Sequence, residues 1–204
     1  MKNKYYSLYI IAICVIFFIL QKIFPIITQL FKLTSSLVLQ QPYTIITSMF
    51  LHGSLVHLLF NMVSLAIFGL ILENEIGSKR FLYLYFSAGI FASISSIPFY
   101  PAVLGASGAI FGIIGSLALL KPKMTIWVYG LPMPMFVAAI LYAIIDLLGV
   151  FAPSNVANIA HLAGILVGVL FGLILRTKIK KEQKTKEKDL NEKNIQEWEK
   201  RYMK

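Results

Sequence analysis

Ser107 lies in LGASGAIFG, at the start of an apolar stretch, and His161 lies in NIAHLAGILVGVLFG, a second such stretch. A hydroxyl and an imidazole inside hydrophobic helices are costly unless they pair or do work. A serine hydroxyl is a poor nucleophile until a base takes its proton. A neutral imidazole can accept that proton and later return it to a leaving amine. Acyl transfer also needs hydrogen-bond donors where oxyanion charge develops. His57 and Asn61 are four residues apart, so they share one face of a helix. Both can donate, and the backbone N–H of Ser107 can join them.

Each of these residues has a plainer reading when taken singly. A lone serine packs helices, and a lone buried histidine bonds to a neighbour. Their combination and their common depth favour chemistry. His52 is expected to serve its loop, by holding water or bonding loop backbone, rather than to act on a substrate. Asp146 lies near the outer end of its apolar stretch; it could stand as a third member beside a serine and a histidine, but it is expected to reach interfacial water or a loop donor. Zinc held by His52, His57 and His161 lacks an HExxH pattern and a nearby carboxylate. No metal and no cofactor is expected.

The elements that must bring Ser107 and His161 together are set by composition. Of the 204 residues, 58% are hydrophobic and only 14% are charged, and mean hydropathy is +0.76. A soluble domain has about a quarter of its residues charged, so the chain reads as a polytopic membrane protein. Six apolar stretches are expected to span, at about 6–28, 55–73, 80–98, 106–120, 131–149 and 156–176, with a basic tail over 177–204. The fourth is short and is expected to begin inside the membrane, where protein or a water-filled cavity must cover its non-helical approach. The first is too long for a signal-peptide core, and no small-residue cleavage site follows it. Segment 29–54 is too polar to span and too apolar for a free loop, so it is expected at the outer interface. The lone Cys14 excludes an intrachain disulfide.

Charge sets the orientation. The segment before the first span, the two loops after the second and fourth, and the stretch from Arg176 onward carry two, two, two and eleven basic residues, 17 of the 19 present. The opposite side has only Lys32, with Lys22 inside the first span. Positive charge stays inside, so both termini are expected in the cytoplasm. The net charge of +10 serves orientation and anionic headgroups rather than nucleic acid, since the tail mixes both signs. Leu190, Ile195, Trp198 and Tyr202 recur there at roughly helical spacing, as in a short amphipathic helix or a solvated tail.

With this orientation, the uncommon polar groups fall in one layer just below the outer surface. His161 lies about five residues past the outer start of the sixth span, roughly 8 Å deep. Ser107, His57 and Asn61 lie at similar depth. A transporter would instead distribute polar groups about the midplane. Gly164, Gly168 and Gly172 form a ladder of small residues below His161, extended by Ala160, and Gly108 and Gly112 give the fourth span a matching face. Such faces let backbones approach closely in a bilayer.

The segments HGSLVHLLFNM, GASGAIFG and AHLAGILVG resemble the three signature regions of the rhomboid intramembrane serine proteases, and the resemblance covers residues 6–176. It implies an all-α, six-span bundle with a Ser–His dyad at Ser107 and His161. It implies that His57 and Asn61 help to bind the oxyanion, and that Gly105, Gly108, Gly112, Phe111, Gly164 and Gly168 pack around the site. It also implies single-pass transmembrane proteins as substrates, cut in or near their membrane segment, and a site in the cell membrane open to the extracytoplasmic side. Members without activity, which bind transmembrane clients, typically lack the serine or the histidine, and this chain keeps both. Two departures stand out. Tyr43-Thr44 replaces the frequent Trp-Arg of the first loop, and Phe111 replaces a frequent tyrosine four residues after the serine.

Overall fold

A computed structural model describes residues 5–128, 130–152 and 156–203, with side chains described except at 178–191 and 199–200. Helix α1 spans Tyr6–Ile23. Phe24 is extended, with φ −127° and ψ 90°, because the residue before a proline is pushed out of the helical region. Helix α2, Ile26–Phe31, restarts after Pro25. The stretch 6–28, expected as one span, is therefore two helices.

Segment 29–54 is built of short pieces: β1 at Leu33–Thr34, a 3-10 turn at Ser35–Leu37, α3 at Thr44–Thr47 and a 3-10 turn at Ser48–Phe50. Its anchors are local. Tyr43 Oη donates to the Leu30 carbonyl at 3.2 Å, and Thr47 Oγ1 donates to that of Phe31 at 2.9 Å. The Tyr43 ring meets Phe31 edge-on at 6.3 Å. Gln21, buried on α1, clamps the segment's end. Its Oε1 accepts from the His52 N–H at 3.1 Å, and its Nε2 donates to the His52 carbonyl at 3.3 Å.

Helix α4, Leu55–Ser64, starts at a serine cap: Ser54 Oγ accepts from the His57 N–H at 3.1 Å. A π turn, Leu65–Gly69, carries it into α5, Leu70–Ile76. Gly77, with φ +81°, ends that rod in a conformation that favours glycine. Helix α6, Ser78–Ser96, follows at once. Strand β2, Ala102–Val103, pairs antiparallel with β1, and α7 spans Ser107–Leu120. A hairpin of β3, Thr125–Val128, and β4, Leu131–Pro134, precedes α8, Met135–Gly149. The fifth helix was expected from 131. Pro132 and Pro134 keep its first four residues extended instead, since an interior proline removes a helical hydrogen bond. Helix α9 runs Asn158–Tyr202, without a break where the tail was expected to begin.

The fold is mostly helical, with two short antiparallel ribbons beside the helices. Tyr6–Ile23, Leu55–Ile76 and Asn158–Thr177 are each long and apolar enough to cross a membrane, and α7 and α8 are shorter apolar helices. Helix α7 is central, with ten of its 14 residues buried, and packs chiefly on α6 and α9. Tyr9, Ile16, Phe60, Val63, Leu147, Leu148 and Leu166 are exposed on the surrounding helices, the surface of a protein whose solvent is lipid. At the opposite end from Ser107, buried Glu73 closes α1 onto α5. Its carboxylate accepts from the Tyr6 N–H at 2.7 Å, the Ser7 N–H at 2.9 Å and Ser7 Oγ at 2.8 Å.

Candidate active site

Ser107 is the first residue of α7, and His161 lies in the first turn of α9. The seam below them is made of backbone. A Cβ built on Gly164 would lie 2.1 Å from the Gly108 carbonyl oxygen, and one on Gly168 would lie 2.0 Å from that of Gly112. A Cβ on Gly115 would meet the Ile165 carbonyl at 2.6 Å. Ser116 Oγ donates to the Gly168 carbonyl at 2.7 Å, a cross-helix bond that fixes the register. On the far side of α7, a Cβ at Gly108 would meet Ala92 of α6 at 2.5 Å, and one at Gly112 would meet Ala88 at 2.4 Å.

This close approach brings the side chains into contact. Ser107 Oγ and His161 Nε2 are 2.9 Å apart. The imidazole lies flat on Phe111, with centroids 4.1 Å apart and planes 5° from parallel. Tyr142 of α8 meets Phe111 edge-on at 5.8 Å. The stack holds the ring plane, and the hydroxyl and the base are both half-buried.

His161 Nδ1 lies 2.8 Å from Asp146 Oδ1. Asp146 is 4% exposed. This corrects the expectation that Asp146 reaches interfacial water or a loop donor. A readable signal was its register: the buried positions Met135, Ala139 and Asp146 fall on one face of α8.

Gly105 adopts φ +127°, a conformation reserved for glycine. Its N–H donates to the Ser48 carbonyl at 2.9 Å. A Cβ there would sit 2.9 Å from His57 Nε2 and 3.8 Å from Ser107 Oγ, so the imidazole and the hydroxyl flank the same glycine. Asn61 is buried on the same helix, one turn further on. Its Nδ2 donates to the His57 carbonyl at 2.8 Å, which leaves one amide hydrogen, and its Oδ1 has no partner among the described residues. Because α7 starts at Ser107, its first N–H groups are free of intrahelical partners.

His52 is buried against His57, with ring centroids 5.1 Å apart. Neither of its ring nitrogens has a partner among the described residues. No ring bond meets normal hydrogen-bond geometry, yet the Phe50 backbone of the same loop lies close enough to favour the charged ring; His52 also holds its segment through its own backbone and Gln21. Burial, aided by His57, pushes its pKa from 6.5 down to about 3. The ring therefore stays neutral through the physiological range.

A recess of about 30 Å³ adjoins Ser107, bounded in part by Ser48, Ser93, Ala157 and Ala160. Among the described residues no group of three or more His, Cys, Asp or Glu could hold a metal ion. Chemically, the arrangement offers a hydroxyl on a base, a base on a carboxylate, and donors beside the hydroxyl.

The Rhomboid domain family model matches residues 39–178. The chain belongs to the rhomboid family. It is 40% identical over 131 residues to "Rhomboid protease GluP" of Bacillus subtilis (strain 168), covering 62% of this chain and 24% of that protein. It is 34% identical over 137 residues to "RHOMBOID-like protein 6, mitochondrial" of Arabidopsis thaliana, covering 66% and 44%. It is 31% identical over 154 residues to "Rhomboid protein 1, mitochondrial" of Saccharomyces cerevisiae, covering 69% and 44%. This rhomboid thus spans a quarter to under half the length of these relatives.

Gln21, Glu73 and Ser116 were not singled out in the sequence. Each is a buried polar group on a membrane-type helix, and that cost was itself the signal.

Proposed function

We propose that this rhomboid is an intramembrane serine endopeptidase that cleaves single-pass transmembrane proteins in or near their membrane segment. The observation that carries the reading is the 2.9 Å contact of Ser107 Oγ with His161 Nε2 at the mouth of a buried backbone seam. His161 takes the hydroxyl proton as Ser107 attacks the scissile carbonyl. The oxyanion is met by the Ser107 N–H, the His57 ring and the free amide hydrogen of Asn61. His161 then protonates the leaving amine, and water, activated by the same imidazole, releases the acyl group. Neither a metal nor a cofactor enters these steps.

The bundle crosses the membrane six times on this reading, with α6, α7 and α8 adding to the three longer spans. The basic segments lie in the cytoplasm, and Ser107 opens to the other side. The ion pair of Lys121 Nζ with Glu75 at 2.7 Å supports this, since it joins two segments assigned to one face.

The test is cleavage of a single-pass reporter by the purified protein in liposomes. Wild type cleaves, Ser107→Ala does not, and a fluorophosphonate labels Ser107 alone. A cysteine at Pro101, in a Cys14→Ala background, reacts with an impermeant thiol reagent from outside the cell. Labelling elsewhere, or an active Ser107→Ala, removes the dyad.

A further inference from the structure

We infer that Asp146 is a positioning residue for His161, turning the proposed dyad into a three-residue relay shared by α7, α8 and α9. The inference rests on the reading of Ser107 and His161 given above and adds a member to it. An ionised carboxylate can only accept, so with Asp146 Oδ1 2.8 Å from Nδ1 the ring proton belongs on Nδ1. Nε2 is then the bare nitrogen, and it is the one 2.9 Å from Ser107 Oγ. A single tautomer is selected, and it is the one that can act as base. The Phe111 stack fixes the ring plane but has no preference between nitrogens. The carboxylate supplies the choice.

Burial favours the same assignment. An ionised carboxylate that is 4% exposed requires a partner, and His161 provides one. When His161 takes the serine proton, the resulting imidazolium faces an anion at contact distance, in a half-buried site where charges attract more strongly than in water. No proton needs to move to Asp146. The groups set against the imidazole are Asp146 from α8 and Ser107 and Phe111 from α7, and His57 of α4 is near enough to feel its charge. Glu73 and Glu75 lie at the far end of α7, about 20 Å away by helical rise.

The experiment uses the full chain in detergent micelles and liposomes. With 15N-labelled histidine, the wild-type His161 signal, assigned by its loss in His161→Gln, should report a proton on Nδ1 and a bare Nε2. Asp146→Ala and Asp146→Asn should lower kcat by about 10²–10⁴-fold, with KM within about twofold. In both variants His161 should show mixed or inverted tautomers. Asp146→Glu should recover part of kcat. A wild-type proton on Nε2 overturns the inference, as does an Asp146→Ala enzyme with full kcat and an unchanged His161 signal. Should both variants fail to fold, the wild-type tautomer alone decides. An active Ser107→Ala would instead defeat the dyad and leave the Asp146–His161 bond to the spectrum.

Discussion

Gly164→Ala is the sharpest probe of how this fold makes its site. The added Cβ would lie 2.1 Å from the Gly108 carbonyl oxygen, where real contacts do not fall below 3.0 Å. Backbone cannot rotate aside as a side chain can, so α7 must retreat from α9 by about 0.9 Å at the residue after Ser107. The Ser107–His161 contact of 2.9 Å would then open to nearly 4 Å, beyond a hydrogen bond. A misplacement of about 1 Å costs about 100-fold in rate, and overpacking costs about 1–3 kcal/mol of stability. Gly172→Ala is the control. Its nearest neighbours are Leu119 Cβ at 3.2 Å, Leu119 Cδ1 at 3.3 Å and Ser116 Cα at 3.3 Å, which need yield by only a few tenths of an ångström. Both variants should be assayed in liposomes on a single-pass reporter, with turnover normalised to the folded fraction from thermal unfolding. Gly172→Ala should stay within about twofold of wild type. Turnover and unfolding unchanged in Gly164→Ala would refute the claim that backbone contact sets the distance.

Three further outcomes are expected. Glu73→Ala removes three hydrogen bonds at the start of α1 and should lower unfolding stability by about 2–4 kcal/mol, with turnover per folded molecule unchanged; Glu73→Gln should lose less, and equal stability in all three proteins would dismiss the cap. His57→Ala and Asn61→Ala should each reduce kcat by about 10²-fold or more, read as initial rates at saturating reporter; unaltered rates in both would leave that helix face without a part in turnover. Folded His52 takes up a proton only near pH 3, whereas the unfolded chain does so near 6.5. Stability should therefore decline as pH falls below 6.5, and His52→Phe should flatten that decline in chemical unfolding between about pH 7.5 and 5; an identical slope in both would assign the acid sensitivity to other groups.

The participants in the site were legible because each is chemically expensive where it stands. A serine, an imidazole and an HxxxN pair have no cheap reason to sit in apolar helices, and the glycine ladders announce a seam in which a Cβ will not fit. Contacts that depend on handedness and register were harder to read. Asp146 was judged by its depth, but what decides its partner is the face of α8, shared with Met135 and Ala139. The helix ends at Phe24 and Met135 follow from Pro25, Pro132 and Pro134, and hydropathy alone had run through them. The β1–β2 and β3–β4 ribbons carry two and four residues per strand, too few for a period to emerge. Glu73 ends an apolar stretch where a charge draws no notice, whereas three donors at the start of α1 draw it inside.

The glycine seam also separates what bilayer thickness can disturb from what it cannot. Membranes differ in thickness by several ångströms, and helices respond by tilting. Since α7 and α9 touch backbone to backbone from Gly108 to Gly168, they tilt as one body, and the serine-to-imidazole distance moves little. Helix α8 is attached differently. Its buried positions are Met135, Ala138 and Ala139 at one end and Asp146 near the other. A thinner or thicker membrane therefore acts first on the reach of the carboxylate and only later on the nucleophile and base. Lipid chain length becomes a dial on the third member of the relay while the first two stay coupled.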